Sequence, residues 1–415
     1  MLNKSGIREL AYVVIIDDIT PIEGYDRVEL AHVGGWTIVV GKGEFNKGDP
    51  AIYFEIDSQL PAVEPFTNME FLAKKKYKIK TQKMCKSLSQ GLLMSAANFG
   101  WTISTVKYES GAEEIGIIDH ENVAHCVCDE SRFLTEKLGV TYAVSEDNTR
   151  KAHSEDKYKK MAQRHPQLFS HQPFRWLMKR AWGKKLLFTF FGKKKDKKGG
   201  WPEWVTKTDE ERVENMTWIL NDEEPWIATE KIDGTSTTFT MKRKPFGKYD
   251  FYICSRNVVF DKPDKPCFYA SNVYYEMALE YNIEEKMKTM LKSDLFKDCD
   301  WITIQGETYG ESIQKRDYHM HEHHFMAFNF VTSKDGRWNS VKMRDLLERK
   351  YGIPCVPIVM EDCYLPNSVE ELRAFVDSNS SVIDGDMREG LVFRSQDATK
   401  SFKCVSPDYL LKYHQ

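Results

Sequence analysis

Over the first hundred residues, apolar side chains recur in short runs rich in β-branched residues. "LAYVVIIDDITPI", "VELAHVGGWTIVVG" and "DPAIYFEIDSQLP" are separated by Gly, Pro and Asp turns at short intervals. That spacing predicts a small β-barrel over residues 1–105. Residues 106–200 break the pattern. They begin acidic and loop-like in "ESGAEEIGIIDHENVAHCVCDESRF", pass through a short helix expected around "SRFLTEKLG", and end basic and aromatic. From Trp201 to Gln415 regular patterning returns. "WPEWVTKTDEERVENM" reads as a helix capped by Thr208 or Asp209, with Arg212 in its early turns. After it comes a run with period two, in which Ser236, Thr238 and Thr240 share one face and Thr237, Phe239 and Met241 the other.

Composition narrows the class without changing that layout. A chain of 415 residues with 41% hydrophobic and 29% charged content is a soluble globular protein with room for at least two cores. No apolar run reaches membrane-spanning length, and "MLNKSGIREL" lacks the layout of a signal peptide, so a cytoplasmic protein is expected. Nine cysteines without a C-x-x-C pair indicate neither a zinc ribbon nor a disulfide framework. Cys126 and Cys128, with His120 and His125, lack a second ligand pair, and "DYHMHEHHF" reads as a polar loop, so zinc is not expected.

Net charge is only −3, but fifteen Lys or Arg face three Asp or Glu between Lys151 and Lys198. Aromatics interleave with those cations, which suits a nucleic-acid backbone first and an anionic membrane surface second. The barrel carries a second basic stretch, "FLAKKKYKIKTQKMCK". On a strand, Lys78 and Lys80 would lie along a nucleic-acid backbone, the alternative being a charge-protected edge strand.

The chemistry centres on "ATEKIDGTSTTFTM". Lys231 stands just before a strand, in a turn that Asp233 and Gly234 favour. A lysine amine attacks phosphoryl or carbonyl centres once its pKa is lowered. Asp233 alone would raise it, so a cation is needed between the two. Further stretches supply the remaining parts. "ICSRN" offers Arg256 as a phosphate clamp, "WITIQGETYGE" offers Glu307, "REGLVFRS" offers Glu389, and "TKSFKCVSPDYLLKY" offers Lys400, Lys403 and Lys412. "HHFMAFNFV" offers Phe325 and Phe328 as flat faces for a base. Asp233, Glu307 and Glu389 together suit a hydrated Mg²⁺.

The series EKIDG, SRN, QGE, FMAFNF, EGLVF and SFK resembles, in order and spacing, the motifs of covalent nucleotidyltransferases: ATP-dependent RNA ligases, DNA ligases and capping guanylyltransferases. The chain is most similar to the RNA ligases that carry an OB-like domain in front. DNA ligases and capping enzymes usually place that domain after the lysine-bearing one.

The resemblance implies an α+β protein, with an N-terminal OB-like barrel followed by a nucleotidyltransferase domain of antiparallel sheets flanked by helices. It implies ATP and Mg²⁺ (or Mn²⁺) as cofactors and RNA, nicked or broken and including duplex, as partner, with the protein a monomer. By position, Lys231 would form lysyl-AMP, and Asp233, Glu307 and Glu389 would hold waters of the metal. Glu230, Arg212, Arg256 and Lys403 would contact ATP or the RNA end, and Phe325 or Phe328 would stack on adenine. The family often has a second lysine where this chain has Val405, with Lys400 or Lys412 as substitutes. An RNA-binding protein with a decayed catalytic domain is the alternative from another class; it would be expected to have lost one of Lys231, Glu307, Glu389 or Lys403.

Overall fold

The alternating runs become strands that curl around two apolar clusters. The computed structural model describes residues 1–108, 112–143, 201–206 and 209–414. In its N-terminal part, β1 (Ala11–Ile15), β2 (Asp18–Ile22), β3 (Tyr25–Val33), β4 (Trp36–Gly41) and β5 (Pro50–Phe54) follow one another closely. β6 (Thr81–Met84), β7 (Ser87–Gln90) and β8 (Leu92–Met94) complete the barrel elements. The strands pair antiparallel as β2-β3-β4, β1-β5-β8 and β6-β7. Residues of β1 and β5 supply both clusters: Val13, Ile52 and Phe54 enter one, and Tyr12, Ala51 and Tyr53 the other.

Three expectations need correction here. Residues 112–143 are not simply loop: β9 (Thr102–Lys107) pairs with β10 (Glu113–Ile118), and Ile117, Leu134 and Val140 complete the barrel's first cluster. The stretch around "SRFLTEKLG" holds only a single 3₁₀ turn, Glu130–Arg132. Lys78 and Lys80 lie on the connection into β6 rather than on a barrel strand, flanking Ile79, which is buried in the core. The basic aromatic segment from Lys151 to Lys198 lies outside the described residues.

The C-terminal part is built on two antiparallel sheets. The smaller runs β16-β11-β17-β18, from β11 (Trp226–Lys231), β16 (Ile358–Cys363), β17 (Gly390–Ser395) and β18 (Ser401–Val405). The larger contains β13-β12-β14-β15 in that order, from β12 (Thr235–Lys244), β13 (Lys248–Ser255), β14 (Trp301–Gly310) and β15 (His323–Thr332). The alternation in β12 is realised as expected. Phe239 and Met241 face the helices α1 (Val273–Glu280) and α2 (Ile283–Lys292), with Ile302, Ile304 and Phe325 in the same core. A further helix, α3 (Val369–Asp377), packs on β17 and β18 of the smaller sheet, and α4 (Pro407–Tyr413) packs against β6 of the barrel. Among the described residues no helix is long and apolar enough to cross a membrane.

Gly306 shows how tightly β14 is packed. A Cβ there would stand 2.3 Å from the Met326 carbonyl oxygen and 2.4 Å from the Phe325 ring. Gly306→Ala is therefore expected to cost about 1–3 kcal/mol through overpacking, read as a lowered thermal midpoint.

Candidate active site

Lys231 is the last residue of β11, and the turn Ile232–Gly234 leads straight into β12. The lysine thus stands on a strand end rather than within the turn. Gly234 is needed for close approach, because a Cβ would meet the Thr308 carbonyl oxygen at 2.4 Å. This brings β11 of one sheet against β12 and β14 of the other. Lys231 pairs across to Gly390 on β17, next to Glu389, and Ser236 pairs to Glu307 on β14. Three motifs far apart in sequence so converge on one amine.

The Lys231 ammonium donates to Glu389 Oε1 at 2.6 Å, with its side chain 25% exposed. Burial works against its charge, but Glu389 and Glu307, with Asp233 beyond, outweigh that and hold the pKa above the ordinary lysine value. Burial, with Glu389 and Asp233 adding to it, pushes the Glu307 carboxyl up to about 8, although Lys231 opposes this. Asp233 behaves differently. Burial alone would raise its pKa, but His414 and Lys231, with a hydrogen bond from Tyr409, hold it below the usual range. Tyr409 donates to Asp233 Oδ2 at 2.9 Å and His414 Nε2 lies 3.3 Å from the same atom. Glu389 Oε2 is buried with no hydrogen-bond partner among the described residues.

A cationic wall stands beside this amine. Arg212 is not in a helix: it precedes a 3₁₀ turn, Val213–Asn215, in extended conformation, and bridges in parallel to Lys403 on β18. Its Nη2 lies 3.7 Å from Asp57 of the barrel, while Nε and Nη1 are buried without partners among the described residues. Burial, together with Arg8 and Arg212, pushes the Lys403 ammonium down to about 7. A guanidinium with two unused donors beside a destabilised ammonium has the chemistry to take an anion. Arg256 is more exposed, ion-paired with Asp209 and placed 5.6 Å from the centre of the Tyr142 ring. Neither suggested substitute for the second terminal lysine joins this wall. Lys400 pairs with Asp222 at 2.7 Å, and Lys412 sits over the Tyr413 ring at 4.8 Å. Val405 is apolar because it is buried in the cluster that contains Trp36, Ile38 and Tyr53 of the barrel.

Ile232, next to Lys231, belongs to an apolar cluster with Tyr309, Tyr318 and Val356, and Met326, Phe328 and Ile383 pack against it. Phe328 belongs to this wall and is half-buried. Phe325 does not. It is fully buried on the helix side of β15, edge-on to Phe239, so it has no face to give a base. Glu230 also needs correction as an open nucleotide contact. It is 2% exposed, and its two oxygens accept from the Ser381 hydroxyl and, at 2.8 Å, from the Val382 amide.

Comparisons with known proteins bear on the fold that carries these residues. Residues 224–414 match the RNA ligase family model, and residues 10–96 match a PHA02142 OB-fold domain. Residues 224–414 form an RNA ligase domain, with an OB-fold domain in front of it. No curated protein matches it by sequence. Among solved structures, this ligase is similar to a Naegleria gruberi RNA ligase mutant in its apo form, at 25% identity and TM-score 0.68, covering 98% of this chain and 99% of that one. A mutant of the same protein with ATP and Mn matches at 25% identity and TM-score 0.68, covering 98% and 100%. Another, with AMP and Mn, matches at 25% identity and TM-score 0.67, covering 98% and 99%.

Sequence reasoning missed several residues of the ligase's site: Tyr318, Tyr409, His414, Ile232 and Val356. Ile232 carried a signal, since it lies between Lys231 and Asp233; Tyr318 stands in a stretch that reads as a polar loop, and Tyr409 and His414 follow the last motif. The wall makes a pH prediction. With Lys403 titrating near neutrality, its ammonium is present below pH of about 7 and lost above it. Binding an anion favours the charged form, so sulfate affinity should fall as pH rises from about 6 to about 8.5, by up to tenfold per unit. Sulfate does not titrate in this range. Calorimetric titration should show that slope in the wild type and a flatter one in Lys403→Met.

Proposed function

We propose that this RNA ligase is ATP-dependent and joins 3′-OH to 5′-phosphate ends through lysyl-AMP and RNA-adenylate, acting at nicks or breaks in structured or duplex RNA. The observation that carries the reading is the position of Lys231 among three carboxylates, next to the apolar cluster that Ile232 joins and beside the cations Lys403 and Arg212. Adenine would rest against Phe328, Ile232 and Val356, with the phosphates towards Lys403 and Arg212. The Lys231 amine then attacks the α-phosphorus, its bond to pyrophosphate breaks, and a phosphoramidate forms. AMP next passes to the RNA 5′-phosphate, and the 3′-OH displaces it.

Lys231 as found is held protonated by its carboxylates, so it needs a competing cation to become a nucleophile. Asp233, Glu307 and Glu389 fit a divalent ion: Glu389 keeps an unpartnered oxygen, and the three carboxylates surround the amine. Among the described residues no three ligands stand close enough to hold a metal directly, which suits contact through water. When bound, Mg²⁺ or Mn²⁺ would neutralise phosphate charge and lower the lysine pKa. Arg256 would receive the RNA end, with Lys78 and Lys80 contacting the strand further out. We read the protein as a cytoplasmic monomer, in which all nine cysteines, unpaired here, stay reduced.

The test is to incubate nicked duplexes with RNA or DNA on the 3′-OH and 5′-phosphate sides, with ATP and Mg²⁺. Sealing that requires RNA, with a transient adenylylated strand, is the expected result. Equal sealing of all-DNA nicks would favour a DNA ligase, and RNA binding without label transfer would favour a decayed enzyme.

A further inference from the structure

The two loops that carry Asp233 and Glu389 are joined to the C-terminal helix by a residue that no motif names. Arg316 is 4% exposed and lies between β14 and β15. Its Nη2 donates to both oxygens of Asp384, at 2.6 and 2.7 Å, and its Nη1 donates to the Met387 carbonyl, two residues before Glu389. Its guanidinium carbon lies 4.2 Å from the centre of the Tyr318 ring, 5.6 Å from that of Tyr409 and 5.9 Å from that of Tyr413. Both of the first two tyrosines hold Asp233: Tyr318 accepts from its backbone amide at 2.7 Å, and Tyr409 donates to its carboxylate at 2.9 Å.

We infer that Arg316 is a positioning residue that fixes Asp233 and Glu389 relative to Lys231. It grips the Glu389 loop with its fork and the Asp233 loop with its flat face. Only a planar, multidentate cation can do both. A lysine at this position would keep the charge and lose the bidentate bond and the stacking, so the two carboxylate loops would lose their common support. The phosphate wall does not depend on it, because Lys403 and Arg212 sit on other elements, and neither do Val356 and Phe328 of the apolar wall. The expected signature is a slower chemical step with nucleotide binding retained, since small misplacements of reacting groups cost rate far more than affinity.

The test compares Arg316→Lys with wild type in lysyl-AMP formation, and measures ATP affinity by calorimetry in a Lys231→Met background, where no covalent step intervenes. The expected result is a rate lowered about 10²-fold, with ATP affinity within about twofold and the thermal midpoint close to that of wild type. Tyr318→Phe, which removes only the oxygen that accepts from the Asp233 amide, should lower the rate in the same direction and decides the matter if Arg316→Lys fails to fold. An unchanged rate, or rate and affinity falling together, would overturn the inference. It rests on Lys231 as the nucleophile. Wild type that takes no label would remove that reading, whereas labelled wild type beside an equally fast Arg316→Lys would remove only this one.

Discussion

Lys231→Ala, incubated with ATP labelled at the α-phosphate and with Mg²⁺, carries no label through a denaturing gel, whereas wild type does. Removing a covalent nucleophile typically costs on the order of 10⁴-fold or more in rate, and nothing nearby replaces this amine. Lys403 is half-buried on β18, where its backbone amide bonds to the Glu211 carbonyl at 2.7 Å. The same variant given RNA that already carries a 5′-adenylate should still seal it, because the last step uses the 3′-OH as nucleophile and the phosphate wall is intact. Wild type must first be stripped of bound AMP with pyrophosphate; no band after that would remove the ligase mechanism.

Arg373→Met gives the largest expected loss of stability. Arg373 on α3 is buried, and its Nη2 donates to Glu214 Oε1 and Gln90 Oε1 at 2.8 Å each and to the Gly35 carbonyl at 3.1 Å. It therefore ties the catalytic part to β7 and to the turn before β4. Glu214 has no exposed side-chain surface. Removing its partner leaves a buried carboxylate uncompensated, at a cost of about 3–5 kcal/mol. Denaturant unfolding should show a lower midpoint, and the double variant Arg373→Met, Glu214→Leu should recover part of it.

Much of the candidate site was legible because Lys231 and Glu389 stand at strand ends and Glu307 lies within a long strand, where pairing fixes the backbone. Lys231, Glu307 and Glu389 are brought together by pairings that follow from strands of the right length. What was not legible depends on local departures from period. The choice between Phe325 and Phe328 turns on a register shift, where Gln305 pairs with Asn329 but Gly306 pairs with Ala327. Phe328 is the extra residue, so the alternation changes phase and Phe330 joins Phe325 on the helix side. Arg212 was misplaced because charged and polar residues at helical spacing form only a 3₁₀ turn here, held by the barrel and β18. Residues 112–143 looked like loop because Ile117, Leu134 and Val140 are too widely spaced to show a period, yet each fills the barrel.

Val405 and Leu410 extend the meaning of this packing. They follow Lys403 by two and seven residues, and both are buried in the barrel's second apolar cluster. The strand that carries Lys403 and the helix after it are therefore also wall material of the barrel, and the two parts share one apolar cluster. A frame tied in this way predicts a cycle in which nucleotide, pyrophosphate and RNA ends exchange without the barrel parting from β18 and α4, so turnover should be insensitive to solvent viscosity except where RNA itself must leave.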